Sequence, residues 1–336
     1  CPGTGAPTAG AVPPRTAPAP RETLMKVLGF GDNTVDRFVD RGTDYPGGNC
    51  VNVAVYAHRL GLDAAYAGVF GDDDLGTRLR AAVAAQGVTV DHSVVRHGAT
   101  SVSTLHVRDG DRVFLGYEPG GAAVHAPLPV TPGLLAYAAS FSLVHSSVYS
   151  GTEAELPLLA TAGPLLSFDF SDEEEFRTPA YLDRVCPHLD LALLSCSHLD
   201  EAATRALLAE AVDRGAGMAL ATRGLHGAIA YDGRTTVVAP ARAADPDSVC
   251  DTMGCGDAFL AGFAVALLRA GWSRRVPPAP AALRDALRQG AEAAYHQCFV
   301  EAAFGCGWPT PATRAGHGAG PAAQAVPGSA APIRPV

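Results

Sequence analysis

Residues 251–257 read Asp251-Thr252-Met253-Gly254-Cys255-Gly256-Asp257, and an apolar helical run, Ala258–Leu268, follows at once. Two glycines at this spacing let the backbone turn tightly, so that successive N–H groups point outward where a helix begins. The helix dipole reinforces them, and the result is a cradle for an anion. Asp257 closes the run where a carboxylate can accept a proton from a hydroxyl about to attack phosphorus, which suits phosphoryl transfer by positioning and electrostatics. A bare Gly-x-Gly-Asp also opens many ordinary capped helices, so the segments around it decide between the two.

Outward from the cradle, short apolar strands alternate with helical patterns. Val27–Phe30, Ala65–Val69, Leu143–His145, Leu165–Asp169, Leu191–Ser195, Met218–Ala221 and Ala228–Tyr231 read as strands. Helical stretches lie around Asn49–Leu60, Leu75–Gln86, Glu201–Arg214, Asp257–Ala270 and Ala281–Cys298. This alternation predicts an α/β fold, a mainly parallel sheet with helices on both faces. Two segments break the rhythm. Residues 36–45 and 100–117 alternate apolar and polar, and Arg108-Asp109-Gly110-Asp111-Arg112 reads as a hairpin with Asp-Gly at its tip. They predict a small antiparallel sheet serving as a lid. The folded body is expected over 25–308. Residues 1–24 and 309–336 each carry six of the 26 prolines and are expected to be disordered tails. Met25 is a candidate translation start, and Cys1 a candidate processed terminus.

Composition removes several classes. The 336 residues carry 25 − 34 = −9 formal charges, so a nucleic-acid partner is not expected. No apolar run reaches the roughly 18–20 residues of a membrane span, and no membrane partner is expected. Of the 25 basic residues only Lys26 is a lysine, and no G-x-x-x-x-G-K-[ST] exists. Schiff-base and P-loop lysine mechanisms are thereby excluded, because arginine stays protonated and is no amine nucleophile. The eight cysteines include no C-x-x-C and no Cys/His zinc spacing, which reads as reduced thiols in a cytoplasmic protein.

Three further segments place polar groups beside strand ends. Gly31-Asp32-Asn33-Thr34-Val35-Asp36 follows the first strand directly, where open α/β sheets bind ligands. Asp32 can accept two hydroxyl hydrogen bonds, and Asn33 can both donate and accept. A dinucleotide fingerprint is disfavoured there: the third glycine is missing, and the acid would repel a pyrophosphate. Gly47-Gly48-Asn49-Cys50-Val51-Asn52 brings backbone and amides to a helix start, and Thr222-Arg223-Gly224-Leu225-His226-Gly227 joins two strands.

Taken in chain order, these four segments resemble the signatures of the PfkB, or ribokinase-like, carbohydrate kinases, over about residues 26–308. The resemblance implies a ribokinase-like fold and assigns roles. Asp257 is the catalytic base, with Gly254, Cys255 and Gly256 as the anion hole. Asp32, Asn33, Gly48, Asn49 and Asn52 bind the sugar. Thr222, Gly224, Gly227 and Thr252 bind the nucleotide, and Ala291–Gly307 flanks the adenine. ATP and Mg²⁺ are the implied cofactors, with a monovalent cation as a further candidate; a homodimer through the lid is a candidate assembly. Cys255 departs from the usual alanine, but only its N–H is needed. A thiol at a helix N-terminus tends to a lowered pKa, so oxidation-sensitive inhibition is expected. The family's Asn-x-x-Glu is absent. Its stretch here reads Ser195-Cys196-Ser197-His198-Leu199-Asp200-Glu201, leaving Asp200 or Glu201, acting through water, as candidate metal ligands.

Within that family the chain resembles the fructoselysine 6-kinases, through Gly31–Asp36, Gly71-Asp72-Asp73-Asp74, Asp111-Arg112-Val113-Phe114, Phe168-Asp169-Phe170-Ser171-Asp172 and Pro187-His188-Leu189-Asp190. The expected reaction is ATP-dependent phosphorylation of the 6-hydroxyl of a fructosamine, with Asp172 facing the substrate's ammonium. Another kinase of the family, acting on ribose, fructose, a keto-deoxy acid or a nucleoside, is the alternative. A non-catalytic sugar or nucleotide sensor is the alternative from a different class, and retention of Asp257 argues against it.

Overall fold

The computed structural model describes residues 25–108, 111–118 and 121–311. The main sheet takes β1 (Lys26–Gly31), β4 (Asp63–Gly71), β5 (Val94–Arg96), β8 (Leu143–Ser147), β9 (Leu165–Asp169), β10 (Leu191–Ser195), β11 (Ala219–Thr222), β12 (Ala228–Tyr231) and β13 (Thr236–Ala239). A second sheet takes β2 (Thr34–Phe38), β3 (Thr43–Gly47), β6 (Val102–Arg108), β7 (Asp111–Glu118) and β14 (Trp308–Pro309). The helices are α1 (Asn49–Arg59), α2 (Asp74–Ala85), α3 (Ala122–His125), α4 (Pro132–Ala138), α5 (Leu156–Thr161), α6 (Pro179–Val185), α7 (Glu201–Asp213), α8 (Cys255–Arg269) and α9 (Pro280–Gln297).

The main sheet runs β13-β12-β11-β10-β9-β8-β1-β4-β5. It is parallel from β11 to β5, and only β12 and β13 are antiparallel. Successive side chains alternate faces. Val27, Leu165, Leu191 and Leu193 enter one core with Val51, Phe263 and Leu287. Leu28, Leu166, Ala192 and Leu194 enter the other with Leu134, Leu182 and Leu208. A strand covered on both faces must be apolar on both, which is why Leu165–Asp169 and Leu191–Ser195 read as continuous runs and emerge with those same bounds.

All seven sequence-predicted strands lie in this sheet. The predicted helices match α1, α2, α7, α8 and α9 to within two residues. The structure adds α3 to α6, each seven residues or shorter. Too short for a periodic pattern, two of them still carry a local start signal: Thr131 and Thr178 cap α4 and α6 ahead of a proline.

The second sheet runs β14-β3-β2-β6-β7. It is antiparallel at each junction except β2–β6, which is parallel. Arg37 grips the buried Asp44 across β2 and β3 through two 2.8 Å bonds. The predicted tip at Asp109-Gly110 and the predicted tails, apart from residues 309–311, lie outside the described residues. No helix among the described residues is long and apolar enough to cross a membrane.

α1 rides close on β1: a Cβ at Gly29 would lie 2.0 Å from the Cys50 carbonyl oxygen. That contact is backbone and cannot swing aside. Gly29→Ala is expected to lower stability toward the upper end of about 1–3 kcal/mol, read from the urea midpoint; an unchanged midpoint would mean the approach is looser than described.

Candidate active site

The cradle is a backbone structure with a braced rim. Gly254, at φ +73°, caps α8 in the left-handed region. A Cβ there would lie 2.3 Å from the Tyr56 hydroxyl, which donates to the Ala303 carbonyl. Behind the turn, buried Asp251 accepts from the Met253 N–H at 2.8 Å, and from Arg41 and the Ala302 N–H at 3.4 Å each. Of the predicted donors, the Cys255 N–H turns back to the Thr252 carbonyl at 3.3 Å. Gly256 faces open space, with no heavy atom within 4 Å of where a Cβ would be. The Cys255 thiol points toward α9, 3.6 Å from both the Ala294 carbonyl and Cys298 Sγ, so it is the backbone of this turn that faces the cleft.

Asp257, one residue further, is 8% exposed. Its Oδ1 accepts from Asn49 Nδ2 at 2.9 Å and its Oδ2 from Asn52 Nδ2 at 2.8 Å. Both amides come from the first turn of α1, at the i, i+3 spacing that puts side chains on one face. Two side-chain amides thus fix the direction of the carboxylate.

Asn49 Nδ2 also donates to Asp169 Oδ2, at 2.7 Å. Asp169 ends β9, is 5% exposed, and has its carboxyl pushed up to about 8. Burial is the main cause, the negative field of Asp257 adds to it, and the Ser171 N–H bonded to Oδ1 at 2.7 Å opposes it. Burial thus favours the protonated form of Asp169, which eases the sharing of one amide by two carboxyl groups. The sequence reading had passed over Asp169. Its available signal was the one that marked Asp32, a polar residue closing an apolar strand at the sheet's carboxyl edge.

Asp32 follows β1 on that edge. Its Oδ1 accepts from Ser147 Oγ at 2.7 Å, Ser150 Oγ at 2.9 Å and the Cys50 N–H at 3.4 Å. A Cβ at Gly48 would stand 3.0 Å from Oδ2, so the glycine keeps that oxygen open. Asn33 turns inward instead: both amide hydrogens are engaged, with the Tyr66 hydroxyl and the Val69 carbonyl at 2.7 Å each. It braces the strand ends and leaves only Oδ1 for a ligand. Asp172 is exposed, and it is Asp169 that reaches the cluster.

Thr222, Gly224 and Gly227 lie at the carboxyl end of β11, on the same edge of the sheet. Half-buried Thr252 meets the cradle through its carbonyl. Asp200 caps α7, accepting from the Ala203 N–H at 2.7 Å. Glu201 pairs with Arg205 at 2.7 Å and with Arg223 at 3.8 Å. Both candidate metal ligands thus have protein partners. Among the described residues no group of three or more His, Cys, Asp or Glu is placed to hold a metal ion, so the residues present do not form a protein cage for Mg²⁺.

Comparisons with known proteins place the chain in a family. The pfkB family carbohydrate kinase profile matches residues 22–310. Fructosamine kinase FrlD of Bacillus subtilis is 37% identical over 286 residues, 85% of this chain and 95% of that one. Fructoselysine 6-kinase of Escherichia coli is 38% identical over 250 residues, 74% of this chain and 90% of that one. Among solved structures, the fructokinase of Xylella fastidiosa with bound ATP superposes with a TM-score of 0.70 at 20% identity, covering 83% of this chain and 95% of that one. This last likeness is one of fold.

The raised Asp169 pKa has a signed consequence for stability. Between its unfolded value near 3.8 and its folded value of about 8, the folded chain holds a proton the unfolded chain has released. Stability contributed by this group is therefore present at low pH and is lost as pH rises through that window, with a slope approaching about 1.4 kcal/mol per unit. Urea midpoints measured from pH 5 to 8 are expected to fall more steeply for the wild type than for Asp169→Asn; parallel curves would place the shared proton elsewhere.

Proposed function

We propose that this chain, which belongs to the pfkB family of carbohydrate kinases, transfers the terminal phosphoryl group of ATP to the 6-hydroxyl of a fructosamine such as fructoselysine. The observation that carries the reading is the placement of Asp257: an amide-oriented carboxylate one residue beyond the open backbone face of Gly256. The fructosamine part is supported by the relatives that bear that activity in their names and align over most of their own length.

The reaction is a direct in-line displacement. Asp32 Oδ2 accepts hydrogen bonds from sugar hydroxyls beside Gly48, while Asn49 and Asn52 hold Asp257 toward the primary hydroxyl. Asp257 takes the hydroxyl proton as the oxygen attacks the γ-phosphorus. The backbone N–H groups of Gly254, Gly256 and Asp257 and the N-terminal dipole of α8 stabilise charge on the phosphoryl group in transit. Arg223, buried and paired with Glu201, adds positive charge beside Thr222 and Gly224. Mg²⁺ is proposed to be bound chiefly by nucleotide oxygens and water, as its reluctance to dehydrate favours. The second sheet limits access of water to the phosphoryl group.

A positioned general base contributes about 10²–10⁴ in rate. Asp257→Asn is expected to lower kcat by that factor while sugar affinity, measured by calorimetry, changes only a few-fold; near-normal turnover would overturn its role. In a coupled ADP-release assay fructoselysine is expected to give a higher kcat/KM than fructose or ribose, and a reversed order would replace the fructosamine reading by another sugar of the family.

A further inference from the structure

Beyond the cluster around Asp257, the segment after β9 holds a carboxylate with an unexplained oxygen. Glu173 Oε1 accepts from the Tyr149 hydroxyl at 2.6 Å, and that hydroxyl is 2.6 Å from Ser171 Oγ. Glu173 Oε2 is buried and has no hydrogen-bond partner. A buried carboxylate oxygen without a donor costs more than the roughly 1–3 kcal/mol of a neutral group, and such groups call for a specific explanation. The backbone there is also unusual. Ser171 sits at φ +55°, in the left-handed region that costs a non-glycine residue of order 1–3 kcal/mol. This turn carries the Ser171 N–H to Asp169 Oδ1 and redirects the chain so that Glu173, rather than exposed Asp172, turns back onto the protein.

Glu173 is linked to the residues around Asp32 through Tyr149. The Tyr149 N–H donates to Ser147 Oγ at 3.2 Å, and Ser147 Oγ donates to Asp32 Oδ1. The negative field of Glu173 is also felt at Asp169. A fructosamine carries its secondary ammonium on C1, at the opposite end of the fructosyl unit from the 6-hydroxyl. With that hydroxyl at Asp257, the ammonium is directed away from the cradle and needs an acceptor on the Asp32 side. Asp169 already accepts from Asn49 and the Ser171 N–H, and Asp32 Oδ1 takes three donors while its Oδ2 faces the sugar hydroxyls. Glu173 has a desolvated oxygen to offer.

We propose that Glu173, with Oε1 held by Tyr149, receives the substrate's ammonium at Oε2 and sets the preference for fructosamines over uncharged ketoses. This rests on the reading of the chain as a fructosamine kinase. A hydrogen bond to a charged group contributes more than a neutral one, and a site built for a polar group rejects analogues that lack it.

The test compares fructoselysine with fructose in the wild type, Glu173→Gln and Tyr149→Phe. Glu173→Gln keeps the size and the acceptor for Tyr149 but removes the charge. It is expected to lower kcat/KM for fructoselysine by ten-fold or more, chiefly through KM, and to leave fructose within two- to three-fold. Tyr149→Phe, which frees the carboxylate to swing, is expected to raise KM for fructoselysine alone and serves where the first variant does not fold. A wild type that prefers fructose would overturn the fructosamine reading and this proposal together. A wild type that prefers fructoselysine, with variants that affect both sugars equally or neither, would overturn the role of Glu173 alone.

Discussion

The Asn49 side-chain amide donates to Asp257 and Asp169 at once, and much of the site follows from that shared donor. Two carboxyl groups around one nitrogen cannot both ionise in a buried setting without large repulsion. Asp169 is the more enclosed of the two. Asp257 has Asn52 as a second donor and the positive end of α8 beside it. The arrangement thus sets a carboxylate braced by two amides beside a carboxyl group whose burial favours its protonated form.

The fold delivers these groups to one place through the carboxyl edge of its parallel strands. Asp32 leaves β1, Ser147 ends β8, Asp169 ends β9, and α1 enters beneath them with Asn49 and Asn52 on one face. α8 comes from the far end of the chain. Its turn is anchored by Tyr56 from α1, by Ala302 and Ala303, and by Arg41 from the segment joining β2 and β3. Groups more than two hundred residues apart in sequence therefore meet at Asp257 with their directions set by hydrogen bonds rather than by packing alone. Arg41 also ties the second sheet to the cradle, so movement of that sheet would be felt at the turn.

The frame of this molecule was legible in the sequence because doubly covered strands are apolar throughout and long helices are periodic. Leu165–Asp169 and Leu191–Ser195 show this for the strands, and Pro280–Gln297, which buries Leu283, Ala286, Leu287, Gly290 and Ala291, for the helices. Short α3 to α6 carry no such period, β5 and β14 are too brief to stand out, and β13 buries only Val237. At the site, glycine spacing announced the cradle, because a tight turn needs glycine whatever surrounds it. The direction of a polar side chain carries no such mark. Asn33 sits one residue beyond Asp32, yet it turns inward to Tyr66 and Val69. The choice among Asp169, Asp172 and Glu173 depends on a left-handed turn at Ser171, a conformation that serine does not advertise. Asp200 and Glu201 were equally ambiguous: an acid at a helix start is a cap as readily as a ligand, and Asp200 is a cap here.

The central claim concerns where the acceptor hydroxyl lies when both substrates are present. A crystal structure with fructoselysine and a non-hydrolysable ATP analogue measures it directly. The account predicts the 6-hydroxyl within hydrogen-bond distance of the Asp257 carboxylate, with the terminal phosphate against the backbone amides of Gly254, Gly256 and Asp257. A complex that holds this hydroxyl away from Asp257, or the phosphate away from that turn, would contradict it.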